Sequence, residues 1–265
     1  MAKAFFLVRG EDLRGEIVPP DTEPRDLSKY DVLVCSNSLT PEIGRIREMA
    51  KPGATLLCYI NTRAVSLSGP DNAIMRSHRD AMGIYDGRAN NGWWSNSDAD
   101  TWYFHLGSGK LIADPNYPNL VMLRPVLDAA EALANWCIEI DAGWDGWYLD
   151  DNFTALPGRL RDIYEPSDPI LAHIRWTHYR DHFNWMMRYR GHKTSVGNVG
   201  GTVSAFPRHL HAITIEASHG DAEELVRAMS WAKALSRPDL NIVWGDPAGS
   251  QIAEVPGMIV KGTVR

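Results

Sequence analysis

Two acidic residues, each placed where a run of strand-forming residues ends, carry the most evident chemistry of this 265-residue chain. Asp150 follows the aromatic and aliphatic residues 147–149, and Glu216 follows the β-branched residues 213–215. Strand ends of this kind form the reactive face of parallel α/β folds. Two carboxyl groups together can cleave a glycosidic bond, one as an acid and the other as a nucleophile or base. The pair therefore predicts sugar hydrolysis.

The surroundings of the two acids suggest different roles. Glu216 lies in an apolar strand that would desolvate it and raise its pKa, which suits a general acid/base. Asp150 is the candidate nucleophile. A carboxyl separation of about 5–5.5 Å implies retention at the anomeric carbon and about 6.5–9.5 Å implies inversion, and we favour retention. The structural alternatives are a helix cap or ion pair for Asp150, and a buried ion pair with Arg188 or Arg208 for Glu216.

Further residues are candidates for contacting the sugar, because they are polar or aromatic and lie beside Asp150 or near other predicted strand ends. They are Asp151, Asn152, Tyr59, Asn61, Trp102, Asn198, His219, Trp244 and Asp246. For Asp246, capping of a turn is an equally open interpretation. Asp145 lies beside a glycine and is interpreted as structural, bonding local backbone amides.

Tryptophan is abundant, with 10 residues in the chain. Several lie in polar stretches and are predicted to be exposed, among them Trp93, Trp94, Trp102, Trp144 and Trp244. Flat exposed rings beside a cleft are surfaces on which a sugar ring stacks. The alternative is that most of them belong to the core.

Short apolar strands alternate with helical segments along the whole chain, which predicts one parallel α/β domain covering residues 1–265. The predicted strands are residues 31–37, 55–61, 101–106, the strand ending at Asp150, 193–198, 211–216 and 241–246. We expect a (β/α)8 TIM-type barrel that is incomplete in its last βα unit, with residues 3–8 or 258–264 as the eighth strand. A doubly wound open sheet is the alternative.

Composition argues against several classes of partner. The net charge of −6 disfavours binding to nucleic acid or to an anionic membrane, and no apolar run is long enough for a membrane span. The N-terminus is a poor secretion signal, which leaves synthesis in the cytoplasm and then release by lysis or assembly into a virion as open routes. The localisation is not fixed by the sequence.

We expect no metal and no cofactor. The three cysteines lack metal-ligand spacing and are interpreted as buried free thiols. His178 and His182 have the spacing of zinc ligands, but the glutamate of a metalloprotease is absent between them. The glycines in residues 197–201 do not have dinucleotide-binding spacing, and no serine-hydrolase elbow is present.

Residues 143–152, Gly-Trp-Asp-Gly-Trp-Tyr-Leu-Asp-Asp-Asn, resemble a signature of barrel glycoside hydrolases, a group that includes polygalactosaminidase-type enzymes and hypothetical glycosyl hydrolase families. Residues 30–34, 51–61 and 100–114 look like the first three barrel strands of that group. The resemblance implies a catalytic aspartate after strand four and a glutamate after strand six, which are Asp150 and Glu216 here. Asn often holds the position of Asp151, and the eighth βα unit of the group has no clear counterpart.

The leading interpretation is therefore a glycosidase that acts on a polysaccharide or oligosaccharide. A non-catalytic carbohydrate-binding or structural barrel protein, such as a phage virion or tail component, is the alternative, and a barrel enzyme of another class is a third. The C-terminal residues 258–265 look like a strand without a partner, through which the chain could self-associate or join a larger assembly.

Overall fold

A computed structural model describes most of the chain, in thirteen segments. They are residues 4–8, 10–15, 26–67, 72–85, 88–89, 102–103, 112–114, 117–140, 143–156, 168–200, 205–216, 222–244 and 258–260. The chain divides into two compact units: residues 1–60, 141–154 and 193–265 form the first, and residues 61–140 and 155–192 form the second. The single domain expected from the sequence stays a prediction.

The described strands are β1 (Ala4–Val8), β2 (Val32–Ser36), β3 (Thr55–Asn61), β4 (Ala64–Ser66), β5 (Ile84–Tyr85), β6 (Arg88–Ala89), β7 (Leu120–Met122), β8 (Gly146–Asp150), β9 (Thr194–Asn198), β10 (Ala212–Glu216), β11 (Asn241–Trp244) and β12 (Met258–Val260). The described α-helices are α1 (Gly10–Arg14), α2 (Ile43–Met49), α3 (Ala73–Ala81), α4 (Leu127–Glu139), α5 (Pro169–Tyr189) and α6 (Ala222–Lys233).

Eight strands of the first unit form one sheet in the order β1-β2-β3-β8-β9-β10-β11-β12. Neighbouring strands pair in parallel within β1-β2-β3 and within β8-β9-β10-β11-β12. The strands follow one another in chain order, whereas a doubly wound sheet reverses its order at a switch point. The sheet is therefore a parallel α/β sheet with the strand order of a barrel, and the doubly wound alternative is wrong. No pairing between β1 and β12 occurs within the described residues.

Two expectations about the strands need correction. Only residues 102–103 of the predicted third strand, 101–106, are described, and there Tyr103 forms an isolated antiparallel bridge with Leu123 rather than a strand of the parallel sheet. Strand-forming composition does not specify which partner a segment pairs with. Residues 258–260 are not an unpartnered strand, because β12 pairs with β11. Both predicted eighth strands, β1 and β12, belong to the sheet.

One face of the sheet packs into a core that lies under the strand ends. Its buried members are Val32, Val34, Leu57, Tyr148, Val196, Ala212, Leu240 and Ile242, with the half-buried Tyr59 packed against them. Because side chains alternate along a strand, Tyr148 and Asp150 point to the same face. Asp150 therefore lies at the edge of this core.

The second unit is mainly helical. Its longest helix, α5, begins after Asp168, whose carboxylate accepts hydrogen bonds from the backbone N–H groups of Ile170 and Leu171. Strands β4 and β7 pair in antiparallel fashion, and a buried Arg63–Asp114 ion pair stabilises the chain that follows β3. None of the described helices is long and apolar enough to cross a bilayer.

Candidate functional site

The register between β8 and β9 brings Asp150 level with Asn198. Leu149 pairs with Gly197, so the next residue of each strand lies at the same level. Close approach of these strands requires a glycine as the first residue of β8, because a Cβ on Gly146 would overlap the carbonyl oxygen of Thr194. The local sequence thus positions Asp150 beside the end of the neighbouring strand.

Both carboxylate oxygens of Asp150 accept hydrogen bonds. The hydroxyl group of Tyr59 donates to Oδ2 at 2.5 Å, and Nδ2 of Asn198 donates to Oδ1 at 2.8 Å. Tyr59 is itself supported by Tyr148, since their rings lie nearly parallel with centroids 6.1 Å apart. The carboxylate is therefore fixed in orientation from two sides.

The same asparagine also holds Glu216. Nδ2 of Asn198 lies 2.9 Å from Oε1 of Glu216, and Oδ1 accepts a hydrogen bond from the backbone N–H of Gly200 at 3.1 Å. A backbone N–H can only donate, so this last bond fixes which end of the amide faces the acids. The two hydrogens of Nδ2 are then shared between the two carboxylates.

This sharing limits the distance between the acids. Oδ1 of Asp150 and Oε1 of Glu216 lie within 2.8 and 2.9 Å of one nitrogen atom, so they are less than about 6 Å apart.

Burial, followed by the charge of Asp151, raises the pKa of Asp150 to about 6, although the hydrogen bonds from Tyr59 and Asn198 act to lower it. The sequence predicted such an effect of burial at a strand-end acid, and the structure has it at Asp150. A carboxyl group with a pKa near 6 changes its protonation within the pH range in which enzymes operate.

The chain turns sharply after β8. Asp151 has a φ of 56°, in the left-handed region that few residues other than glycine adopt, and the next residue, Asn152, is buried. On the adjoining loop Gly200 has a φ of 73°, and a Cβ there would lie 2.9 Å from the ring of Phe153. Non-glycine residues in this conformation are enriched at functional sites.

The structure brings together four of the predicted site residues, Asp150, Glu216, Asn198 and Tyr59. The polar atoms of Asn198 and Tyr59 hydrogen-bond the carboxylates, and their predicted contact with sugar stays a prediction. Asp151 and Asn152 directly follow β8.

The other predicted site residues are not among the contacts of this pair in the described part of the chain. Asn61 and Trp102 belong to the second unit, where Oδ1 of Asn61 accepts hydrogen bonds from two following backbone N–H groups. Trp244 is level with Glu216 in the paired strands β10 and β11, but its side chain is outside the described residues. His219 and Asp246 also lie outside the described residues.

The structural interpretation is right for Asp145 and Trp144, and no ion pair supports it for Glu216 among the described residues. Asp145 is structural, but it accepts from the distant backbone N–H of Leu56 at 2.7 Å and pairs with Arg47 at 2.6 Å rather than with local amides. Trp144 is buried, so its predicted exposure is wrong. Glu216 is absent from the ion pairs among described residues, so pairing with Arg188 or Arg208 is not observed there.

Two contributions to the site were missed. Gly200 orients the Asn198 amide, and the signal for it was a glycine two residues after a strand-end asparagine. Tyr148 supports Tyr59, and the signal was its position two residues before Asp150 on the same face. In the described part of the chain no three His, Cys, Asp or Glu side chains are grouped as metal ligands. His182, one of the two histidines with zinc-ligand spacing, has its Nε2 atom 3.0 Å from Oε1 of Glu131.

The sequence matches no protein-family model and no curated protein. Among solved structures, the galactosidase domain of the α-galactosidase-sucrose kinase AgaSK shares 14% identity at a TM-score of 0.43, with 88% of this chain and 33% of that chain covered. The GH36 α-galactosidase AgaA from Geobacillus stearothermophilus shares 12% identity at a TM-score of 0.42, with 88% and 34% covered. The chain spans about a third of the length of both, and we assign no activity from these likenesses.

Proposed function

We propose that this protein is a glycoside hydrolase in which Asp150 and Glu216 form the catalytic carboxylate pair. The observation that supports the proposal is the single amide nitrogen of Asn198 that bonds both acids. An arrangement that serves only folding has no need to hold two carboxylates close together, because like charges repel. Two acids held at a strand-end face are what glycosidic cleavage requires.

The proposed reaction has two steps. Glu216 protonates the leaving oxygen while Asp150 attacks the anomeric carbon, so a glycosyl ester forms and the glycosidic bond breaks. Glu216, now a carboxylate, then takes a proton from water, whose oxygen attacks the anomeric carbon and releases Asp150. The hydrogen bonds from Tyr59 and Asn198 orient the attacking carboxylate.

The ionisation of Asp150 is compatible with its role at neutral pH. With a pKa of about 6, Asp150 is mostly ionised at pH 7 and can attack. Because one amide nitrogen bonds both acids, their facing oxygens Oδ1 and Oε1 lie within about 6 Å of each other, and this proximity favours a retaining mechanism. The finer fold and family assignments, a closed (β/α)8 barrel of the polygalactosaminidase-type group, are part of this proposal and rest on the strand order and the residue 143–152 signature.

The release of reducing ends from a panel of bacterial and fungal polysaccharides tests the proposal. We expect activity in the wild type and a loss of at least about 10³-fold in both Asp150→Asn and Glu216→Gln. Asp239→Asn, which removes a carboxylate paired with Arg237 in an exposed position, is the matched control and should keep full activity. Unchanged activity in both variants would place the catalytic site elsewhere. Binding without cleavage of any polymer would favour a non-catalytic carbohydrate-binding protein.

A further inference from the structure

Helix α5 exposes large apolar side chains along one stripe. The exposed fractions are 74% for Ile170, 45% for Ile174, 43% for Trp185 and 50% for Tyr189. Their spacings of four, eleven and four residues place them on one face of a helix with 3.6 residues per turn. The opposite face, which includes Phe183 and Met187, is buried. The exposed stripe is therefore additional to the face that packs into the second unit.

The stripe is self-complementary about the middle of the helix, between Tyr179 and Arg180. Ile170 and Tyr189 are equally far from this midpoint, and so are Ile174 and Trp185. Two copies of α5 crossing antiparallel about a two-fold axis would thus place each isoleucine against an aromatic ring of the other copy. This reciprocal pairing is the definition of an isologous interface.

The polar residues of the stripe fit the same register. His178 and Asp181 are also equidistant from the midpoint, so each would face the other residue type across the axis. Asp181 is held in place by an ion pair with the buried Arg180 at 2.7 Å. The arrangement therefore places no two like charges opposite one another, which an interface of two identical surfaces must avoid.

The exposed apolar area of the stripe indicates how strongly two copies should associate. The four apolar side chains expose roughly 400 Å² on each chain, about half of the ~800 Å² per partner that a standard interface buries. The largest apolar patch on a single protein is commonly of this size and often takes part in binding. The area corresponds to a reversible dimer rather than a permanent one.

We propose that the exposed stripe of α5 is a dimerisation surface on which a second copy of this chain docks antiparallel, with Ile174 against Trp185 at each end of the contact. The proposal is independent of the proposed reaction, because every residue of the stripe lies in the second unit and the acid pair lies in the first. It assigns self-association to α5, not to the C-terminal strand.

Sedimentation equilibrium of the full chain between about 1 and 100 µM tests the proposal. We expect the wild type to dimerise, and Ile174→Lys and Trp185→Glu each to weaken dimerisation at least about tenfold. Val226→Glu, at another exposed apolar residue, is the control and should dimerise normally. Because these positions are solvent-exposed, circular dichroism and thermal unfolding should show unchanged folding.

Mixing the two disruptive variants tests the register. In the antiparallel arrangement the new Lys at position 174 faces the new Glu at position 185, while the other end keeps its wild-type contact, so an equimolar mixture should regain dimers that neither variant forms alone. A wild type that is monomeric throughout, dimers unaffected by both variants, or a mixture without rescue would each overturn the proposal. The proposal would also be overturned if the protein is monomeric and Trp185→Glu abolishes its retention on a polysaccharide gel, since the stripe would then bind glycan. Glycosidase activity is measured separately and decides none of these outcomes.

Discussion

At the scale of single residues, the central feature is an asparagine whose hydrogen-bonding groups are all engaged. Its carbonyl oxygen accepts from Gly200, and its amide nitrogen donates to Asp150 and Glu216. The site is thus preorganised, since the two carboxylates need no rearrangement to lie side by side. The sequence predicted that Asn198 belongs to the site, but it did not predict its role, because that role depends on a bond to the following loop.

Asp150→Asn should stabilise the fold at neutral pH. The pKa of Asp150 is about 6 in the folded protein and about 3.8 in the unfolded chain, so ionisation costs stability above pH 6 and costs nothing below pH 4. We expect a gain of about 1–2 kcal/mol at pH 7.5 that disappears at pH 4. Urea unfolding at both pH values measures it. The pKa of Asp239 is lowered by Arg237, so Asp239→Asn should give no such gain. A pH-independent effect at Asp150 would contradict the explanation.

Asn198→Ala should lower kcat/KM by about 10²-fold or more, because both carboxylates lose a donor that fixes their position. Asn241→Ala removes another buried asparagine of the same sheet, which bonds the backbone of Ile213 and Ala232. We expect it to lower stability while leaving kcat/KM per folded molecule unchanged. Equal losses of activity in the two variants would show that Asn198 acts only through folding.

At the scale of secondary-structure elements, the strands that carry the acids and their neighbours in the sheet were predictable, whereas the pairing of one other predicted strand was not. The ends of β8, β9 and β10 fall where the local sequence places them, because apolar runs followed by polar residues mark strand ends. Residues 101–106 have a similar local pattern, but Tyr103, one of the two described residues of this segment, forms an isolated bridge outside the sheet. Pairing depends on contacts between segments far apart in sequence, and a single sequence does not contain that information.

The loop after β9 should be intolerant of a side chain at Gly200. Its φ of 73° disfavours other residues, and a Cβ would also lie 2.9 Å from the ring of Phe153. Gly53 has a φ of 81° with no atom near a Cβ, so Gly53→Ala measures the conformational cost alone. We expect about 1 kcal/mol of destabilisation for Gly53→Ala and more for Gly200→Ala, by thermal or urea unfolding. Reduced activity should accompany only Gly200→Ala, and equal behaviour of both variants would argue against the fitted loop.

At the scale of the whole molecule, the first unit contains a parallel sheet in barrel order. The described part of the second unit is mainly helical and carries the exposed stripe. The order of the strands places the ends of β3, β8, β9 and β10 along one edge, which is why four residues scattered along the sequence meet there. The periodicity of the sequence predicted this edge. It did not predict the division into two units, because no shift in composition marks it.

The pH dependence of catalysis should follow the ionisation of Asp150. We expect kcat/KM to fall below about pH 6, since protonated Asp150 cannot attack. The hydrogen bond from Tyr59 lowers the pKa of Asp150, so Tyr59→Phe should move this acidic limb to higher pH. Tyr117→Phe, at an exposed tyrosine, should leave it in place. An acidic limb that does not move in Tyr59→Phe would exclude Asp150 as its source.

The most direct test of the central claim is rescue by azide of Asp150→Ala and Glu216→Ala, with the anomeric configuration of the glycosyl azide product read by NMR on an activated substrate. If Asp150 is the nucleophile and Glu216 the acid/base, azide restores both variants and the two products have opposite configurations, inverted for Asp150→Ala and retained for Glu216→Ala. Rescue with the same configuration in both variants, or rescue in neither, would contradict the assignment of this pair.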